Sequence, residues 1–169
     1  FIFPPNFHIK EAIKETRSII YDLRPMSLDD LGLIPTLEPF VKEFMEKKKL
    51  NIHFTVFDNF NLVNSIPSMT KLIVYRVIQE SLNNASKHAN AQNITVRLEI
   101  LREFIKIFIS DNGKVFEIEE VFKTFKTNGK FGLLGMKERI ELADGNIEII
   151  TGINKGTTIK IQLPWNTTK

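Results

Sequence analysis

The chain of 169 residues contains no cysteine and no long apolar run. Without cysteine it can form neither a disulfide nor a thiolate metal site, which suits a reducing cytoplasm. No apolar run approaches the roughly 18 residues needed to span a bilayer, and no signal-peptide pattern occurs. We therefore expect no membrane contact from this chain and a cytoplasmic location, which leaves open whether the parent protein is membrane-anchored.

Tyrosine and tryptophan are also scarce, and the net charge is small. Two Tyr and one Trp stand against 14 Phe, and the net charge is +3, with basic and acidic residues interspersed. The densest basic run, residues 47–49, falls at a predicted helix end, where cations suit the helix dipole. We therefore expect the Phe residues to indicate an apolar core more than a surface that stacks on bases, and we expect no nucleic-acid partner. Because the chain begins at Phe1 without an initiator Met, we expect a fragment of a longer protein.

The first part of the chain has a heptad pattern. Apolar or small side chains recur at spacings of four and three up to Pro25, at Ile9, Ile13, Thr16, Ile20 and Leu23. The helix that this pattern predicts over residues 8–24 could lie on its own domain or be one arm of a dimeric helical bundle, and we favour the bundle. Residues 25–32 are predicted to be a polar turn that marks the boundary with the second part.

The second part alternates helix and strand patterns. An amphipathic helical face spans residues 37–45, and a polar, broken loop is predicted over residues 112–131. A helix is predicted to begin at Gly132 or Leu133 and to stop before a C-terminal cap at Gly145. The other predicted elements are a strand at 51–57, a long helix at about 67–87, a hairpin of 95–100 with 105–109, and final strands at 147–151 and 157–163.

Four polar side chains share one stripe of the long predicted helix, at Glu80, Asn84, Lys87 and His88. The same stripe is apolar one and two turns earlier, so the polar groups continue a core-facing row. This arrangement indicates a phosphate and metal site. Asn84 offers a neutral oxygen to a magnesium ion that also binds phosphate. Glu80 could orient a metal-bound water or act as a general base, and Lys87 with His88 could bind phosphates.

The other candidate residues lie after the hairpin. Asp111 ends a buried strand, which could hold its carboxylate in a fixed position as an acceptor for an adenine amino group. Gly113 allows close backbone approach to a ligand. A helix start suits phosphates through its free amide groups and dipole, and here it comprises Gly132, Leu133, Leu134, Gly135 and Met136. Thr157 could place a hydroxyl near the base.

The order and spacing of these motifs resemble the ATP-binding domain of sensor histidine kinases, whose fold is shared with gyrase, Hsp90 and MutL. The resemblance implies an α+β, two-layer sandwich of the Bergerat type, with a mixed sheet covered by helices on one face. It also implies ATP and Mg²⁺ as cofactors. Asn84 and Glu80 match the metal Asn and the conserved acid of the N box. Asp111 matches the G1 Asp, and the G2 glycines and the later threonine match Gly132, Gly135 and Thr157.

A narrower resemblance is to the DegS-like branch, whose partners are NarL-type response regulators. It rests on the segments 21–25, 28–33 and 132–139. It implies that residues 1–24 are a remnant of the second helix of a dimerisation bundle and that residues 25–169 are the catalytic domain. The intact protein would be a homodimer. It would transfer the γ-phosphate of ATP to a histidine on a bundle helix, and then to a response-regulator aspartate.

Two residues depart from the family pattern. The upstream histidine, His8, is followed by Ile9 and not by an acid, so we expect the phosphoacceptor to lie outside this fragment. The fragment should bind ATP without phosphorylating itself. Val115 stands where the family pattern Asp-x-Gly-x-Gly has its second glycine. We expect Val115→Gly to tighten ATP binding, which titration calorimetry with magnesium would measure.

Two other classes of protein remain open. One is a different enzyme on the same fold, such as an anti-sigma-type protein-serine kinase or a clamp ATPase. The other is a non-catalytic docking or dimerisation module whose nucleotide pocket is impaired at Val115. A nucleotide-binding assay separates the second class from the kinases.

Overall fold

The computed structural model describes residues 25–87, 89, 91–113, 132–152 and 156–166. The predicted heptad helix over residues 8–24 lies outside them, as do His88, Val115 and most of the predicted loop. The described helices are α1 (Met26–Asp30), α2 (Leu33–Lys48), α3 (Ser68–Lys87) and α4 (Gly132–Glu141). The described strands are β1 (Asn51–Phe57), β2 (Asn93–Ile100), β3 (Phe104–Asp111), β4 (Asn146–Gly152) and β5 (Gly156–Pro164).

The strands form one five-stranded sheet in the order β1-β2-β3-β5-β4. Strands β1 and β2 are parallel, and the other neighbours are antiparallel. Side chains alternate between a buried and an exposed face along β2 and β3, as period-two patterning requires. The buried face carries only aliphatic side chains over most of its length, including Val96, Leu98, Ile107, Ile109 and Ile161. These observations confirm the predicted α+β fold with a mixed sheet.

Helices α2 and α3 cover that aliphatic face. In α3 a continuous stripe of buried side chains recurs every three or four residues, comprising Val74, Val77, Ile78, Ser81, Leu82 and Ala85. In α2 the predicted face is buried at Leu37, Val41 and Phe44. Its end at residues 47–49 is exposed, as expected for a solvated helix terminus.

The prediction of a polar turn over residues 25–32 was wrong, because residues 26–30 form the helix α1. Leu28 is only 1% exposed and belongs to the common core, whereas Leu31 is 62% exposed. A five-residue helix buries one side chain, so its composition stays polar although its packing is that of a core element. The chain therefore joins the core of the sheet domain by residue 28.

The predicted glycine cap after α4 also differs in detail. The residue with left-handed backbone is Asp144, with φ of 55°, and not Gly145. Gly145 instead donates its N–H to the carbonyl of Ile140 at 2.9 Å. A Cβ at Gly145 would lie 2.9 Å from Cγ2 of Ile140 and 3.0 Å from the carbonyl oxygen of Gln162. Space, and not a positive φ, requires glycine there.

Candidate nucleotide-binding site

The aliphatic face of the sheet ends in a pair of polar residues, Asp111 of β3 and Thr157 of β5. The strand register places Asp111 beside Ile94, and Thr157 beside Thr151. Asp111 and Thr157 are neighbours across β3 and β5, since the preceding pair is Ser110 with Thr158. Alternation then directs the side chains of Asp111 and Thr157 to the helix-covered face. The predicted base-binding pair therefore lies together at one end of the core.

Gly156 allows β5 to pass close to the backbone of Asp111 in β3. Its backbone has φ of 69°, a left-handed conformation, and a Cβ there would overlap the carbonyl oxygen of Asp111. A residue with a side chain would therefore be strained and would also collide with β3. The tight contact of Gly156 with Asp111 depends on the pairing of β3 with β5, which the local sequence does not reveal.

Burial raises the pKa of the Asp111 carboxyl above its usual value. Donor groups close to the carboxyl, which are the N–H of Gly113 and the N–H and hydroxyl of Thr157, lower that pKa, but by less than burial raises it. The bond from Gly113 to Oδ1 is 2.8 Å long. The Thr157 hydroxyl is buried and does not complete a hydrogen bond of standard geometry. The half-buried carboxyl thus has acceptor capacity left for a ligand donor.

Asn112 links the end of β3 to the segment before β2 by hydrogen bonds, a role that sequence reasoning missed. Its Oδ1 accepts hydrogen bonds from the N–H groups of Gln92 and Asn93, at 3.0 and 2.9 Å. Its own N–H donates to the carbonyl of Asn93 at 3.2 Å. These bonds tie the end of β3 to the segment that leads from α3 into β2. The only sequence signal was the turn-forming Asp-Asn-Gly itself.

Gly113 makes a second link to the same segment. A Cβ on Gly113 would overlap Cβ and the carbonyl of Ala89. Gly113 therefore makes a close backbone contact with Ala89. The approach to a ligand that the sequence predicts for Gly113 stays a prediction. Together with Asn112, this contact sets the position of the last turn of α3 relative to Asp111.

Helix α3 brings the predicted phosphate and metal residues to the other side of the site. Glu80 and Asn84 are half-buried, and Nδ2 of Asn84 is buried without a hydrogen-bond partner. Lys87 is exposed at the last residue of the helix. The carboxylate of Glu80 lies against Gly132, where a Cβ would overlap Oε1. This contact joins the polar stripe of α3 to the first residue of α4.

The residues of α4 have different environments. Gly132, Leu133 and Gly135 are partly exposed, whereas Met136 is 1% exposed and belongs to the core. A Cβ on Gly135 would meet nothing within 4 Å. No contact within the described part of the chain therefore requires a glycine at residue 135.

Metal binding by acidic or imidazole clusters is not supported in the residues that the structure describes. No group of three or more His, Asp or Glu side chains among them could hold a metal ion. An ion bound by Asn84 would need most of its ligands from elsewhere. Phosphate oxygens and water are the usual ligands of magnesium in such sites.

Comparison with known proteins identifies the class. The family described as histidine kinase-, DNA gyrase B-, and HSP90-like ATPase matches residues 70–167, and the chain belongs to this family. The signal transduction histidine-protein kinase/phosphatase DegS of Brevibacillus brevis is 42% identical over 159 residues, which cover 94% of this chain and 39% of that protein. DegS of Bacillus subtilis is 42% identical over 142 residues, covering 83% of this chain and 36% of that protein.

A solved structure shows the same fold. The histidine kinase AdeS of Acinetobacter baumannii matches with a TM-score of 0.60 at 15% identity, covering 98% of this chain and 88% of that one. The predicted relationship to DegS-like histidine kinases is confirmed, and the chain corresponds to their ATP-binding domain. It spans about two fifths of the length of the curated relatives. Among the described helices none is long and apolar enough to cross a membrane.

Proposed function

We propose that this chain binds magnesium ATP between α3, α4 and the ends of β3 and β5. In the intact protein the γ-phosphate would pass to a histidine on a bundle helix and then to an aspartate of a NarL-type response regulator. One observation carries the proposal. Asn84 buries Nδ2 without a partner, and Thr157 buries a hydroxyl that completes no hydrogen bond of standard geometry, beside the half-buried carboxyl of Asp111. Polar atoms buried in this way cost about 1–3 kcal/mol each unless a ligand or water meets them.

Asp111 and Thr157 would bind the adenine. The carboxylate accepts a hydrogen bond from the 6-amino group, and a guanine would instead present a carbonyl oxygen that repels it. The Thr157 hydroxyl can donate to a ring nitrogen or hold a bridging water. Gly113 closes this end of the pocket through its contact with Ala89.

The first turn of α4 and the end of α3 would bind the phosphates. The N–H groups of Gly132, Leu133 and the following residues lack intrahelical acceptors, which favours an anion. The free space at Gly135 leaves room for close approach to the helix backbone. Lys87, the last residue of α3, would supply charge and donors, and we expect the same of His88, the next residue in the sequence. Met136 would form the apolar base of this region.

Asn84 fits a magnesium ion that arrives with the nucleotide. Its amide oxygen is a hard neutral ligand, and no acidic cluster in the described residues competes for the ion. A bound magnesium would neutralise charge on the phosphates. Glu80 would be the catalytic group, orienting or deprotonating the acceptor imidazole, because it lies one turn before Asn84 on the same stripe.

The domain division belongs to the same proposal. Leu28 packs in the common core, which supports a catalytic domain that begins near residue 25. Residues 1–24 would be the second helix of a dimerisation bundle, so that the intact protein is a homodimer. We propose a cytoplasmic location for the domain. The fragment would bind ATP without being able to phosphorylate itself.

Titration calorimetry on the 169-residue chain tests nucleotide binding. We expect ATP to bind more tightly with magnesium than with EDTA, and Asn84→Ala to abolish that difference. The matched control is Asn83→Ala, one residue earlier on the same helix, which should keep it. If the unaltered chain shows neither heat nor thermal shift with magnesium ATP, the pocket is not a nucleotide site and a docking module becomes the better interpretation.

Phosphoryl transfer needs the intact protein. We expect labelled ATP to phosphorylate a full-length protein on a histidine outside the 169-residue chain, and not to label that chain alone. Glu80→Gln in the full-length protein should reduce labelling by about 10²-fold or more while ADP still binds. Equal labelling of both full-length proteins would remove Glu80 from the mechanism.

A further inference from the structure

Ser81 is a buried polar residue in the apolar stripe of α3. It is 3% exposed, and its hydroxyl has no hydrogen-bond partner. A helical serine usually bonds to the carbonyl four residues earlier when no other partner exists, but Ser81 does not bond to Val77. A buried hydroxyl without a partner is unfavourable by roughly the free energy of a lost hydrogen bond. Packing alone therefore does not account for a serine here.

The other buried side-chain atoms without a hydrogen-bond partner indicate which site the Ser81 hydroxyl serves. In the part of the chain that the structure describes, three side-chain polar atoms are buried without partners: Oγ of Ser81, Nδ2 of Asn84 and Oγ1 of Thr157. Two of the three belong to residues of the proposed nucleotide pocket. Ser81 lies between Glu80 and Asn84 on the helix that bounds that pocket.

Ser81 lies on the face of α3 that packs against the sheet. The buried stripe of α3 faces the sheet, and Ser81 lies in the middle of it, with Val74, Ile78 and Ala85. Ala89, just beyond the helix, contacts Gly113. Ser81 is about two helical turns, or roughly 12 Å, before Ala89 along the chain of α3. Asp111, two residues before Gly113, and Thr157 beside it lie on the face of the sheet that α3 covers.

We propose that Ser81 is a third base-binding residue, whose hydroxyl bonds to the adenine edge directly or through one ordered water. The inference rests on the proposed nucleotide function and adds a residue to it. The adenine edge presents an amino donor beside a ring-nitrogen acceptor. Asp111 can satisfy the donor but, when ionised, has no proton for the acceptor. A hydroxyl can supply that proton, and because adenine has an acceptor nitrogen on each side of its amino group, Ser81 can donate to one of them beside Thr157.

The test is Ser81→Ala in the 169-residue chain, with Ser86→Ala on the same helix as the matched control. The Kd of ADP is measured with magnesium and again with EDTA, and binding of inorganic tripolyphosphate is measured in parallel. We expect Ser81→Ala to weaken ADP binding about three- to tenfold, by the same factor with and without magnesium. Tripolyphosphate binding and the behaviour of Ser86→Ala should not change.

Three results would overturn the inference. ADP affinity within about twofold of the unaltered chain would show that the hydroxyl does not reach the base, including the case in which only the melting temperature changes. A loss seen only with magnesium would mean that Ser81 acts through Asn84. A matching loss for tripolyphosphate would move its action to the phosphates. If the unaltered chain itself fails to bind ADP, the proposed function fails, whereas the three results above overturn only this inference and leave the proposed function standing.

Discussion

The carboxylate of Glu80 fills the space beside Gly132 that any side chain at residue 132 would occupy. Residue 80 is in the middle of α3 and residue 132 begins α4, so this contact couples the two helices that bound the proposed phosphate site. It also explains the glycine in physical terms, because the contacting atom is the end of the Glu80 side chain. A larger residue at 132 would have to displace the proposed catalytic carboxylate.

We expect Gly132→Ala to reduce phosphoryl transfer in the intact protein by about tenfold or more, because Glu80 must move. The free energy of unfolding should change by less than about 1 kcal/mol, since Glu80 is flexible at its end and alanine favours a helix. Labelling kinetics and thermal melting measure the two quantities. The effect should not add to that of Glu80→Gln. A double variant much slower than Glu80→Gln alone would contradict the coupling.

Gly135→Ala separates a ligand requirement from a folding requirement. A Cβ at residue 135 has free space around it, so the change should raise stability by up to about 1 kcal/mol through helix propensity. If the phosphates approach the helix backbone there, ATP and ADP should bind at least about tenfold more weakly. Calorimetry on the chain without and with nucleotide provides both numbers. Unchanged nucleotide affinity would place the phosphates elsewhere.

Asp111→Asn should stabilise the nucleotide-free chain while it impairs adenine binding. Burial raises the pKa of Asp111, so the folded chain holds this proton more tightly than the unfolded chain. Stability is therefore lost as the pH rises from the ordinary Asp range through the raised pKa. Asparagine avoids that loss, and the gain is small because the carboxyl is only half-buried.

Urea unfolding of both forms across pH tests this expectation. At pH 7 Asp111→Asn should unfold at a higher urea concentration than the unaltered chain. Below about pH 3, where the carboxyl is protonated in both states, the difference should vanish. A variant that is less stable at pH 7 would show that the carboxylate is structural. The Gly113 hydrogen bond is retained in either case, because an amide oxygen can still accept it.

Asn112→Ala should loosen the connection between α3 and the base-binding strand. It removes an oxygen that accepts two backbone hydrogen bonds, so we expect a loss of about 1–3 kcal/mol in stability and weaker nucleotide binding. Asn112→Asp keeps an acceptor at the same place and is the matched control. Chemical unfolding and nucleotide titration measure the effects. Equal losses in both variants would argue against the acceptor role.

Leu28→Ala tests whether α1 belongs to the catalytic domain. Leu28 is 1% exposed, and its truncation should cost about 2–5 kcal/mol. Leu31→Ala, three residues later and 62% exposed, should stay within about 0.5 kcal/mol. Urea unfolding compares the two. Similar stabilities would mean that α1 does not contribute to the folded core.

Local periodicity made much of the fold predictable. The long helix α3, the hairpin of β2 and β3, the start of α4 and the last two strands follow from spacings of 3.6 or two residues, and their bounds agree within about two residues. The short helix α1 did not, because one buried leucine produces no period. The left-handed cap residue Asp144 was not predicted either. The sequence rule assigns a glycine near a helix end to the cap, but Gly145 is a glycine because the space around it is crowded.

The sequence by itself determined which residues could do the chemistry and on which elements they lie. A polar stripe on a buried helix and a carboxylate at the end of a buried strand are local patterns. Only the tertiary structure decided which of them meet. Gly132 packs against Glu80, Gly156 against Asp111, and Asn112 bonds to residues 92 and 93. These pairs lie far apart in sequence, so close packing of α3 and α4 and the register of β3, β5 and β2 fix them.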